Sequence, residues 1–433
     1  MKSDDILNIA TKRGFFFPSG EIYGAKAGFW TYGHLGTIMK HKFENLWRNY
    51  FLKLNDNYFE IEDVNILSEE VFKSSGHLKH FTDPLKDEKG NVKQFNMMIG
   101  VKIGVTGDEM MYLRPETAQS PYISFKREFT ALREKLPLGL AIIGKAFRNE
   151  INPRQGFYRL REFTQAELQI FFEEGKFDVD FNEVKNYKLI ISNKEVKCSE
   201  LKLPHFYIYH LAKIQQFYLD ILKIPKDKFR FRELNEKERA FYNKIHYDIE
   251  LDIESLGGWK EMGGLHYRGD YDLKNHKVSV SYNGKNIYPH VLELSFGVDR
   301  NIWGLMDIFY KKEKERELFL FDRKVAPVEV AIFPIVNKDK LPEKAREVYE
   351  LIKDEFNAFY DNSGSIGKMY RRMDEIGCIA MLTIDYNSLK NNDVTLRDRD
   401  SMKQIRIKIK DLKETLNKFL DGTELKKLGK LIN

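Results

Sequence analysis

The strongest constraint on the fold comes from one segment, Gly144–Phe172, which reads GKAFRNEINPRQGFYRLREFTQAELQIFF. A strand-like run ends in Phe147-Arg148-Asn149-Glu150, a loop with Pro and Gly follows, and a second run returns. Alternate residues of a strand point to opposite faces, so the returning run has a polar face and an apolar face. We therefore expect the polar face to form the floor of a site. The polar face holds Arg161, Phe163, Gln165, Glu167 and Gln169, and the apolar face holds Leu160, Ala166, Leu168 and Ile170.

The residue types on this polar face suit a nucleotide. The planar guanidinium of arginine matches pairs of phosphate oxygens, and an aromatic ring beside it can stack on a purine. On composition alone, ion pairing at the surface is the commoner reason for such a face. Residue types by themselves leave both interpretations open.

Short strand-like runs separated by Gly, Pro and Asn recur as far as residue 295, with few helical patterns between them. They favour a large antiparallel sheet over a doubly wound parallel one. Before them, Phe43, Leu46, Trp47 and Tyr50 follow helical spacing and predict an amphipathic helix. The clearest runs are Leu140–Phe147, Glu162–Phe172, Phe229–Arg232, Tyr247–Ile253, Lys277–Tyr282 and His290–Ser295.

In the run Tyr247–Ile253, apolar residues alternate with the acidic residues Asp248, Glu250 and Asp252. This alternation is typical of a half-buried strand. Because a charged face is usually solvated, we expect the acidic side of this strand to face water.

The pattern changes near Arg323–Pro327, after which strands alternate with helices. Such alternation predicts a separate α/β domain of roughly a hundred residues. Its predicted elements are the strands Val328–Phe333, Cys378–Asp385 and Gln404–Ile409 and the helices Glu343–Tyr360 and Leu412–Leu420.

Composition excludes several classes of protein. The chain has 433 residues, of which 42% are hydrophobic, as expected for a globular protein with a large core. Its net charge of +6 permits a polyanionic partner without requiring one. Cys198 and Cys378 lie far apart and form no CxxC pair, so we expect neither structural zinc nor a disulfide framework. The acidic start MKSDDILNIA is no signal peptide, and no apolar run reaches the ~18–20 residues of a membrane span. We expect a cytoplasmic protein without a membrane partner.

Several ordered segments resemble motifs of the class II aminoacyl-tRNA synthetases, in the form that acts on glycine. Gly144–Phe172 resembles motif 2 of that class, and PHVLELSFGVDR (Pro289–Arg300) resembles motif 3. The matches follow one another over most of the chain, which makes the resemblance specific. Further matching segments are IYGAKAGFWTYGHLG (Ile22–Gly36), SGHLKHFTDP (Ser75–Pro84), YLRPETAQ (Tyr112–Gln119), RGDYDL (Arg268–Leu273), YDNSGSIGKMYRRMDEIG (Tyr360–Gly377) and VTLRDRDSM (Val394–Met402).

The resemblance implies an α+β fold with two domains. Residues 1–322 would form the class II catalytic domain, an antiparallel sheet with flanking helices. Within it, motif 1 would lie at about 22–50, motif 2 at 144–172 and motif 3 at 289–306. Residues 323–433 would form a C-terminal α/β anticodon-binding domain. Members of this class are homodimers through the motif 1 region, which implies a homodimer here.

The resemblance also implies an activity: ATP-dependent attachment of glycine to the 3′ end of tRNA(Gly) through a glycyl-adenylate, with release of AMP and pyrophosphate. Arg148 would hold the α-phosphate and Arg159 the γ-phosphate, while Glu150 would orient the adenine amino group or the acceptor end of the tRNA. Phe163 and Arg300 would enclose the adenine in a cation–π sandwich. The implied catalytic residues are Arg148, Glu150 and Arg300. The implied ATP site comprises Arg148, Asn149, Glu150, Arg159, Leu160, Arg161, Glu162, Phe163, Thr164, Glu261, Met262, Gly297 and Arg300.

Glycine offers only an ammonium, a carboxylate and two hydrogens, so its pocket needs carboxylates for the ammonium and bulk against any side chain. Excluding larger amino acids by shape is easy, and no editing domain is expected. For an isolated glutamate such as Glu116, a surface or helix N-terminal role is the alternative. The glycine pocket implied by the resemblance comprises Glu116, Thr164, Gln165, Glu167, Glu293, Ser295 and Gly297.

Magnesium ions would bridge the phosphates, with Glu261 and Glu293 as their carboxylate ligands or water anchors. In the second domain, Tyr370, Arg371 and Arg372 would bind the tRNA by stacking and phosphate contacts, and a solvated charged loop is the alternative.

Three other functions are weaker interpretations. A catalytically inactive synthetase-like protein would not need Arg148, Glu150, Phe163, Glu293 and Arg300 together. A threonyl or prolyl enzyme would need zinc ligands or a larger side-chain pocket, and the sequence offers neither. An RNA-binding module without chemistry would leave the ATP residues unexplained.

Overall fold

The computed structural model describes residues 2–86, 90–153, 155–240 and 242–432, so Arg154 of the motif 2 segment lies outside the described residues. The described α-helices are α1 Lys2–Arg13, α2 His34–Phe51, α3 Glu69–Ser74, α4 His77–His80, α5 Gln119–Ala131, α6 His205–Gln216, α7 Tyr271–Asn275, α8 Val298–Phe309, α9 Leu341–Ile352, α10 Ile366–Glu375, α11 Tyr386–Asn391, α12 Leu412–Leu420 and α13 Leu425–Leu428. In these ranges no helix is long and apolar enough to cross a membrane.

The strands are β1 Phe16–Pro18, β2 Trp30–Tyr32, β3 Tyr58–Glu60, β4 Ile66–Ser68, β5 Thr82–Lys86, β6 Val92–Asn96, β7 Ile99–Ile103, β8 Glu109–Leu113, β9 Leu138–Phe147, β10 Glu162–Phe172, β11 Lys188–Ile191, β12 Lys194–Lys197, β13 Phe229–Glu233, β14 Ile245–Ile253, β15 Gly258–Gly269, β16 Val280–Tyr282, β17 Lys285–Ile287, β18 His290–Gly297, β19 Tyr310–Lys312, β20 Glu317–Phe319, β21 Val330–Pro334, β22 Ala358–Tyr360, β23 Ala380–Ile384, β24 Asp393–Asp398, β25 Gln404–Lys408 and β26 Leu431–Ile432.

The described residues divide into two compact units. One comprises residues 18–31 and 43–304 and contains a nine-stranded sheet, and we call it the nine-stranded unit. The other comprises residues 2–17, 32–42 and 305–432 and contains a six-stranded sheet, and we call it the six-stranded unit. The predicted boundary at residue 322 stays a prediction.

The nine-stranded sheet has the order β12-β11-β13-β14-β15-β18-β10-β9-β3. Its centre, from β13 to β9, is antiparallel throughout. Parallel pairing occurs where β3 joins β9 and where β11 joins β13. The prediction of a large, mostly antiparallel sheet is confirmed.

The helix predicted from Phe43, Leu46, Trp47 and Tyr50 is confirmed as part of α2. In the nine-stranded unit, the Trp47 ring lies 6.0 Å from the ring of Phe296 in β18, edge to face. Trp47 is fully buried. Burying a large aromatic side chain typically stabilises a fold by about 1.5–3 kcal/mol, so this contact anchors the helix against one face of the sheet. The opposite face of β18 is left for polar side chains.

The expectation that the acidic side of β14 faces water is wrong. Asp248 and Glu250 are only 6% and 7% exposed. Arg230 Nε donates to Glu250 Oε2 at 2.6 Å, and Arg232 Nη2 donates to Asp248 Oδ2 at 3.0 Å. These arginines come from the neighbouring strand β13, so cross-strand ion pairs replace solvation of the carboxylates.

The predicted strand Lys277–Tyr282 begins three residues later than predicted and is not part of the nine-stranded sheet. Only Val280–Tyr282 is extended, and it forms a hairpin with β17 instead of joining the nine-stranded sheet. Lys277 has a φ of +56°, a left-handed conformation that ends the turn after α7 and interrupts any strand at that point.

The six-stranded sheet has the order β22-β21-β23-β24-β25-β26. Strands β22, β21 and β23 pair in parallel, and β24 and β25 continue the sheet antiparallel. The predicted helix Glu343–Tyr360 is too long. Helix α9 ends at Ile352, and residues 358–360 form the edge strand β22. Pairing with β21 decides the conformation of these residues, which the helical spacing could not reveal. Strand β24 was not predicted.

Candidate active site

The polar face of the nine-stranded sheet is built by three neighbouring strands, β15, β18 and β10. Glu167 of β10 lies opposite Ser295 of β18, which lies opposite Gly264 of β15. One step along the sheet, Gln169, Glu293 and His266 form a second row. The alternation predicted for the returning strand is thus confirmed from Glu162 onward, and it brings residues from distant parts of the sequence onto one floor.

A pocket opens over one end of this floor. It brings together Arg148, Glu150 and Arg159 from motif 2 with Arg300 from motif 3. Gly263 lies where the backbones approach closely, since a Cβ added there would be 2.1 Å from the Ser295 carbonyl oxygen. The lining residues are Arg148, Glu150, Tyr158, Arg159, Leu160, Phe163, Thr164, Gln165, Glu261, Met262, Gly263, Gly264, His266, Ser295, Gly297, Asp299 and Arg300.

Arg148 is held between two aromatic rings. Its guanidinium carbon lies 5.1 Å from the ring centre of Phe163 and 5.3 Å from that of Phe81. Its Nε donates to the carbonyl oxygen of Pro115 at 3.0 Å. The ring contacts and this hydrogen bond fix the guanidinium while leaving its terminal nitrogens for a ligand.

Arg300 also lines the pocket, where Glu261 and Tyr158 contact it. Its Nη1 lies 3.1 Å from Glu261 Oε1 and donates to the Glu261 carbonyl oxygen at 3.2 Å. The guanidinium carbon lies 4.8 Å from the Tyr158 ring centre, and the Tyr158 hydroxyl donates to the same carbonyl at 2.8 Å. Phe163 and Arg300 therefore both line this pocket.

Glu150 and Arg159 form a pair at the pocket rim. Arg159 Nε donates to Glu150 Oε2 at 2.7 Å, and Glu150 is 8% exposed. In contrast, Arg161 Nη2 donates to the Glu150 carbonyl oxygen at 2.9 Å and Arg161 Nη1 to the Ala27 carbonyl oxygen at 3.0 Å. Arg161 therefore braces the loop and does not line the pocket.

Two further residues of the implied ATP site lie outside the pocket lining. Asn149 is tied through its backbone N–H to the carbonyl oxygen of Met97 at 2.8 Å. Glu162 lies 3.3 Å from Lys145 Nζ as an exposed ion pair. Since neither lines the pocket, the geometry does not support direct ATP contacts from these side chains.

The carboxylates of the implied glycine pocket gather beside this pocket, around Glu167. Glu167 Oε1 accepts hydrogen bonds from Ser295 Oγ at 2.7 Å and Gln165 Nε2 at 2.9 Å. Its Oε2 accepts from Thr117 Oγ1 at 2.7 Å. Burial raises the pKa of Glu167 to about 8, and the neighbouring carboxylates of Glu293 and Glu116 add to this rise.

Glu293 and Glu116 have different electrostatic surroundings. Burial raises the pKa of Glu293, although the Arg268 guanidinium acts in the opposite direction. For Glu116, burial is outweighed by His77 and Arg268, which hold the pKa of this carboxyl below its usual range. The three carboxylates influence one another's pKa values, so they form one electrostatic site that favours a bound cation.

Arg268 is a buried cation that contacts this carboxylate cluster. It is 4% exposed, and it donates to Asp272 through Nε at 2.7 Å and Nη2 at 2.8 Å. Its Nη1 donates to Glu293 Oε2 at 3.0 Å. The same oxygen accepts from the Tyr122 hydroxyl at 3.1 Å and from Gln169 Nε2 at 3.2 Å. Glu293 is therefore fixed through one oxygen.

The two residues proposed as magnesium ligands differ in their availability. Glu261 lines the pocket with a half-exposed carboxylate, whereas Glu293 is buried and holds Arg268. Among the residues that the structure describes, no group of three or more His, Cys, Asp or Glu side chains is arranged to hold a metal ion. A carboxylate at the pocket rim fits magnesium bound mainly by phosphates, but the hydrogen bonding of Glu293 does not support a ligand role.

The residues expected to bind tRNA lie on α10 of the six-stranded unit, and none of them lines the pocket. The Tyr370 hydroxyl is 2.6 Å from Thr383 Oγ1, and the Arg397 guanidinium lies 4.7 Å from its ring centre. Arg372 Nε donates to Asp361 Oδ2 at 2.9 Å. Arg371 is exposed. Tyr370 and Arg372 thus have partners within their own unit, and Arg371 is the member that best fits a phosphate contact.

Sequence reasoning missed four residues that shape the site. Tyr158 supports Arg300, His266 lines the pocket, and Asp299 accepts a hydrogen bond from the Thr164 backbone N–H. Arg268 lies in the matching segment RGDYDL, and the resemblance implied no role for it. Tyr158 stands inside motif 2 and Asp299 inside motif 3, so position in a motif was the available signal for both.

Curated relatives match the chain over nearly its whole length. A glycine–tRNA ligase from Borrelia hermsii is 34% identical over 95% of this chain and 96% of its own. One from Pyrococcus horikoshii is 32% identical over 97% of this chain and 99% of its own. One from Aeropyrum pernix is 31% identical, with 98% of each chain covered. The chain belongs to the glycine–tRNA ligase family.

Two family models agree with this membership. A class II tRNA synthetase core domain (G, H, P, S and T) matches residues 102–309, and an anticodon binding domain matches residues 329–419. A solved prolyl-tRNA synthetase from Cryptosporidium parvum, complexed with L-proline and AMP, has a TM-score of 0.68 and is 15% identical. It covers 98% of this chain and 76% of that chain, and at this identity the likeness supports the class II fold alone.

Proposed function

We propose that this member of the glycine–tRNA ligase family attaches glycine to the 3′ end of tRNA(Gly) in two steps. A carboxylate oxygen of glycine attacks the α-phosphorus of ATP, the bond to pyrophosphate breaks, and glycyl-adenylate forms. The 3′-terminal ribose hydroxyl of the tRNA then attacks the adenylate carbonyl, and AMP leaves. The observation that carries the proposal is the cluster of the buried Glu167 and Glu293 with the partly buried Glu116, beside a pocket lined by arginines and Phe163.

The carboxylate cluster suits a small ammonium. Arg268 and its neighbours hold Glu293 through Oε2, which leaves Oε1 toward His266, whose Nε2 is 3.6 Å away. Thr117, Gln165 and Ser295 surround Glu167 with short hydrogen bonds and leave little room for a side chain. We infer that the ammonium of glycine binds between these carboxylates, and that crowding around Glu167 excludes larger amino acids.

The pocket over motif 2 is the proposed ATP site. Phe163 and Arg300 would enclose the adenine, and Arg148 would hold the α-phosphate through its terminal nitrogens. Arg159, whose side chain is 43% exposed, would hold the γ-phosphate. Because the guanidinium of Arg148 is already fixed by two rings, little reorganisation would accompany the in-line attack.

Magnesium, when bound, would neutralise charge on the phosphates as pyrophosphate leaves. Glu261 is the carboxylate that we propose to hold it, directly or through water, because its side chain reaches the pocket. The contact between Glu261 and Arg300 would hold this carboxylate at the pocket.

The six-stranded unit is the proposed site of anticodon recognition, and Arg371 is its proposed phosphate contact.

We also propose a homodimer and a cytoplasmic location. In the motif 1 segment, Ile22 and Tyr23 are 86% and 88% exposed, which is unusual for large apolar side chains and fits burial against a second copy. Sedimentation equilibrium of the full chain should give twice the chain mass, and a monomer would overturn the dimer.

We expect glycine alone among the twenty amino acids to stimulate ATP–pyrophosphate exchange. The physical reason is the crowded carboxylate cluster, which offers charge for an ammonium but no space for a methyl group. The measurement is amino-acid-dependent exchange on the full chain, followed by charging of tRNA(Gly). Equal stimulation by alanine or serine would overturn the proposed specificity.

The apparent KM for glycine is expected to fall as pH rises toward 8. In the empty site the pKa of Glu167 is raised to about 8, so this carboxyl is largely protonated at pH 6.5. A bound ammonium favours the ionised form, so binding releases a proton and strengthens by up to about tenfold per pH unit below the pKa. Above about pH 8 the dependence should level off.

The matched variant is Glu167→Gln, which keeps the shape of the side chain but cannot titrate. We expect weaker glycine binding in this variant and a flat pH profile between 6.5 and 8. Measuring the KM for ATP alongside separates this effect from general pH inactivation. An unchanged pH profile in Glu167→Gln would assign the titration to another group, such as Glu293, whose pKa burial also raises.

A further inference from the structure

The carboxylate of Glu116 is held through one of its two oxygens by donors from separate elements. His77 Nε2 lies 3.4 Å from Glu116 Oε1, and Gln119 Nε2 donates to the same oxygen at 2.9 Å. Within the described ranges, no hydrogen-bond donor contacts the other oxygen, Oε2. One oxygen is thus fixed by the protein, and the other remains open.

Ser75 decides which nitrogen of His77 faces Glu116 as a donor. Ser75 Oγ and His77 Nδ1 are 2.7 Å apart, and Ser75 is buried. When the Ser75 hydroxyl donates to Nδ1, the neutral imidazole carries its proton on Nε2, which can then donate to Glu116. Gly76 between them has a φ of +85°, a conformation that favours glycine and turns the two side chains toward each other.

Aromatic neighbours keep the imidazole in this orientation. The His77 ring lies 6.1 Å from the Phe72 ring, edge to face, and 5.5 Å from the Phe81 ring. Asn96 Nδ2 donates to the carbonyl oxygen of His77 at 3.3 Å and to that of Leu78 at 2.8 Å. The ring and its backbone are therefore both fixed.

The second donor is oriented in the same way. His276 Nε2 lies 2.9 Å from Gln119 Oε1, and Gln119 is fully buried. With its oxygen engaged by His276, the Gln119 amide presents its nitrogen to Glu116. Two short chains of polar contacts, one from Ser75 through His77 and one from His276 through Gln119, therefore end on the same carboxylate oxygen.

We propose that Ser75 and His77 are positioning residues for glycine, which act through Glu116 and keep its Oε2 directed at the glycine ammonium. This inference rests on the proposed function. Neither residue lines the pocket assigned to ATP. Their loss should therefore affect the use of glycine and leave the use of ATP nearly unchanged.

The test is ATP–pyrophosphate exchange with separate titrations of glycine and ATP. We expect His77→Ala to raise the KM for glycine about tenfold or more, because the polar contact of Nε2 with the charged Glu116 is lost. The KM for ATP should stay within about twofold. His77→Gln should recover most of the loss, since its amide nitrogen can replace Nε2 as donor.

Two further variants sharpen the test. Ser75→Ala should raise the KM for glycine by a smaller factor, and it should add nothing to His77→Ala, because both act along one path. His80→Ala, an exposed histidine in the same short helix, should match the unmodified chain. Thermal unfolding of each variant identifies any that fail to fold, and Ser75→Ala and His77→Gln keep the inference testable if His77→Ala does.

Three outcomes would overturn the positioning role: equal impairment of His77→Gln and His77→Ala, a parallel rise in the KM for ATP, or additive losses from Ser75 and His77. Absence of glycine-dependent exchange in the unmodified chain would instead overturn the proposed function. The two failures are therefore distinguishable.

Discussion

Replacement of Arg148 by alanine is expected to lower glycine-dependent ATP–pyrophosphate exchange by about 10²–10³-fold, with little change in tRNA binding. The proposed partner of Arg148 is the α-phosphate, where charge rearranges during attack, and losing one preorganised donor at such a position typically costs this much. The rings of Phe81 and Phe163 hold the guanidinium in place before ATP arrives. Their contribution is lost together with the charge.

Two controls identify the cause of this loss. Arg148→Lys keeps the positive charge but loses the paired N–H donors of the planar guanidinium. Its exchange rate should therefore lie between those of Arg148→Ala and the unmodified chain. Arg127→Ala removes an exposed arginine from α5 and should leave exchange unchanged. Near-normal exchange in Arg148→Ala would remove this residue from the mechanism.

Arg268→Met is expected to lower the free energy of unfolding of the nine-stranded unit by about 3–5 kcal/mol and to abolish glycine activation. The buried guanidinium neutralises Asp272 and Glu293, and its loss leaves two buried carboxylates without their counter-charge. The decrease in the free energy of unfolding is measured by chemical denaturation of the full chain, monitored with a spectroscopic signal that reports on this unit.

The matched control is Arg48→Met, which breaks a surface pair. Arg48 Nε lies 2.8 Å from Glu60 Oε2, and both side chains are about one-third exposed. Water and salt screen such pairs, so we expect a loss below about 1 kcal/mol. A similar loss in both variants would show that the Arg268 network contributes no more than a surface pair.

The sequence predicted the strands of the site because their periodicity is local. In β10, each side chain is assigned to a face by its position alone, so the alternation was sufficient to group Gln165, Glu167 and Gln169 on one face. The buried helix residue Trp47 was predicted in the same way. Family resemblance then added roles that spacing alone could not assign.

What the sequence did not reveal depends on partners that are distant along the chain. Asp248 and Glu250 were expected in water because nothing in their own strand shows that arginines of β13 lie beside them. Likewise, nothing near Tyr370 in the sequence shows that Thr383 and Arg397 contact it, and its role in tRNA binding stays a prediction. Pairing between elements decides such cases, and a single sequence does not state it.

The six-stranded unit joins the first residues of the chain to the last. Helix α1 carries the buried residues Ile6, Ile9 and Ala10. It also forms ion pairs with residues about 300 positions later, from Lys2 Nζ to Asp307 Oδ1 at 3.3 Å and from Asp5 Oδ2 to Lys312 Nζ at 3.1 Å.

On the ribosome, α1 therefore emerges long before its partners have been synthesised. The nine-stranded unit can fold while α1 still lacks its partner residues, since domains generally fold as units once their residues are available. The apolar side of α1 then remains accessible to chaperones at least until residue 312 has been synthesised. An amino-terminal tag or deletion should for this reason disturb the carboxy-terminal unit, at the opposite end of the gene.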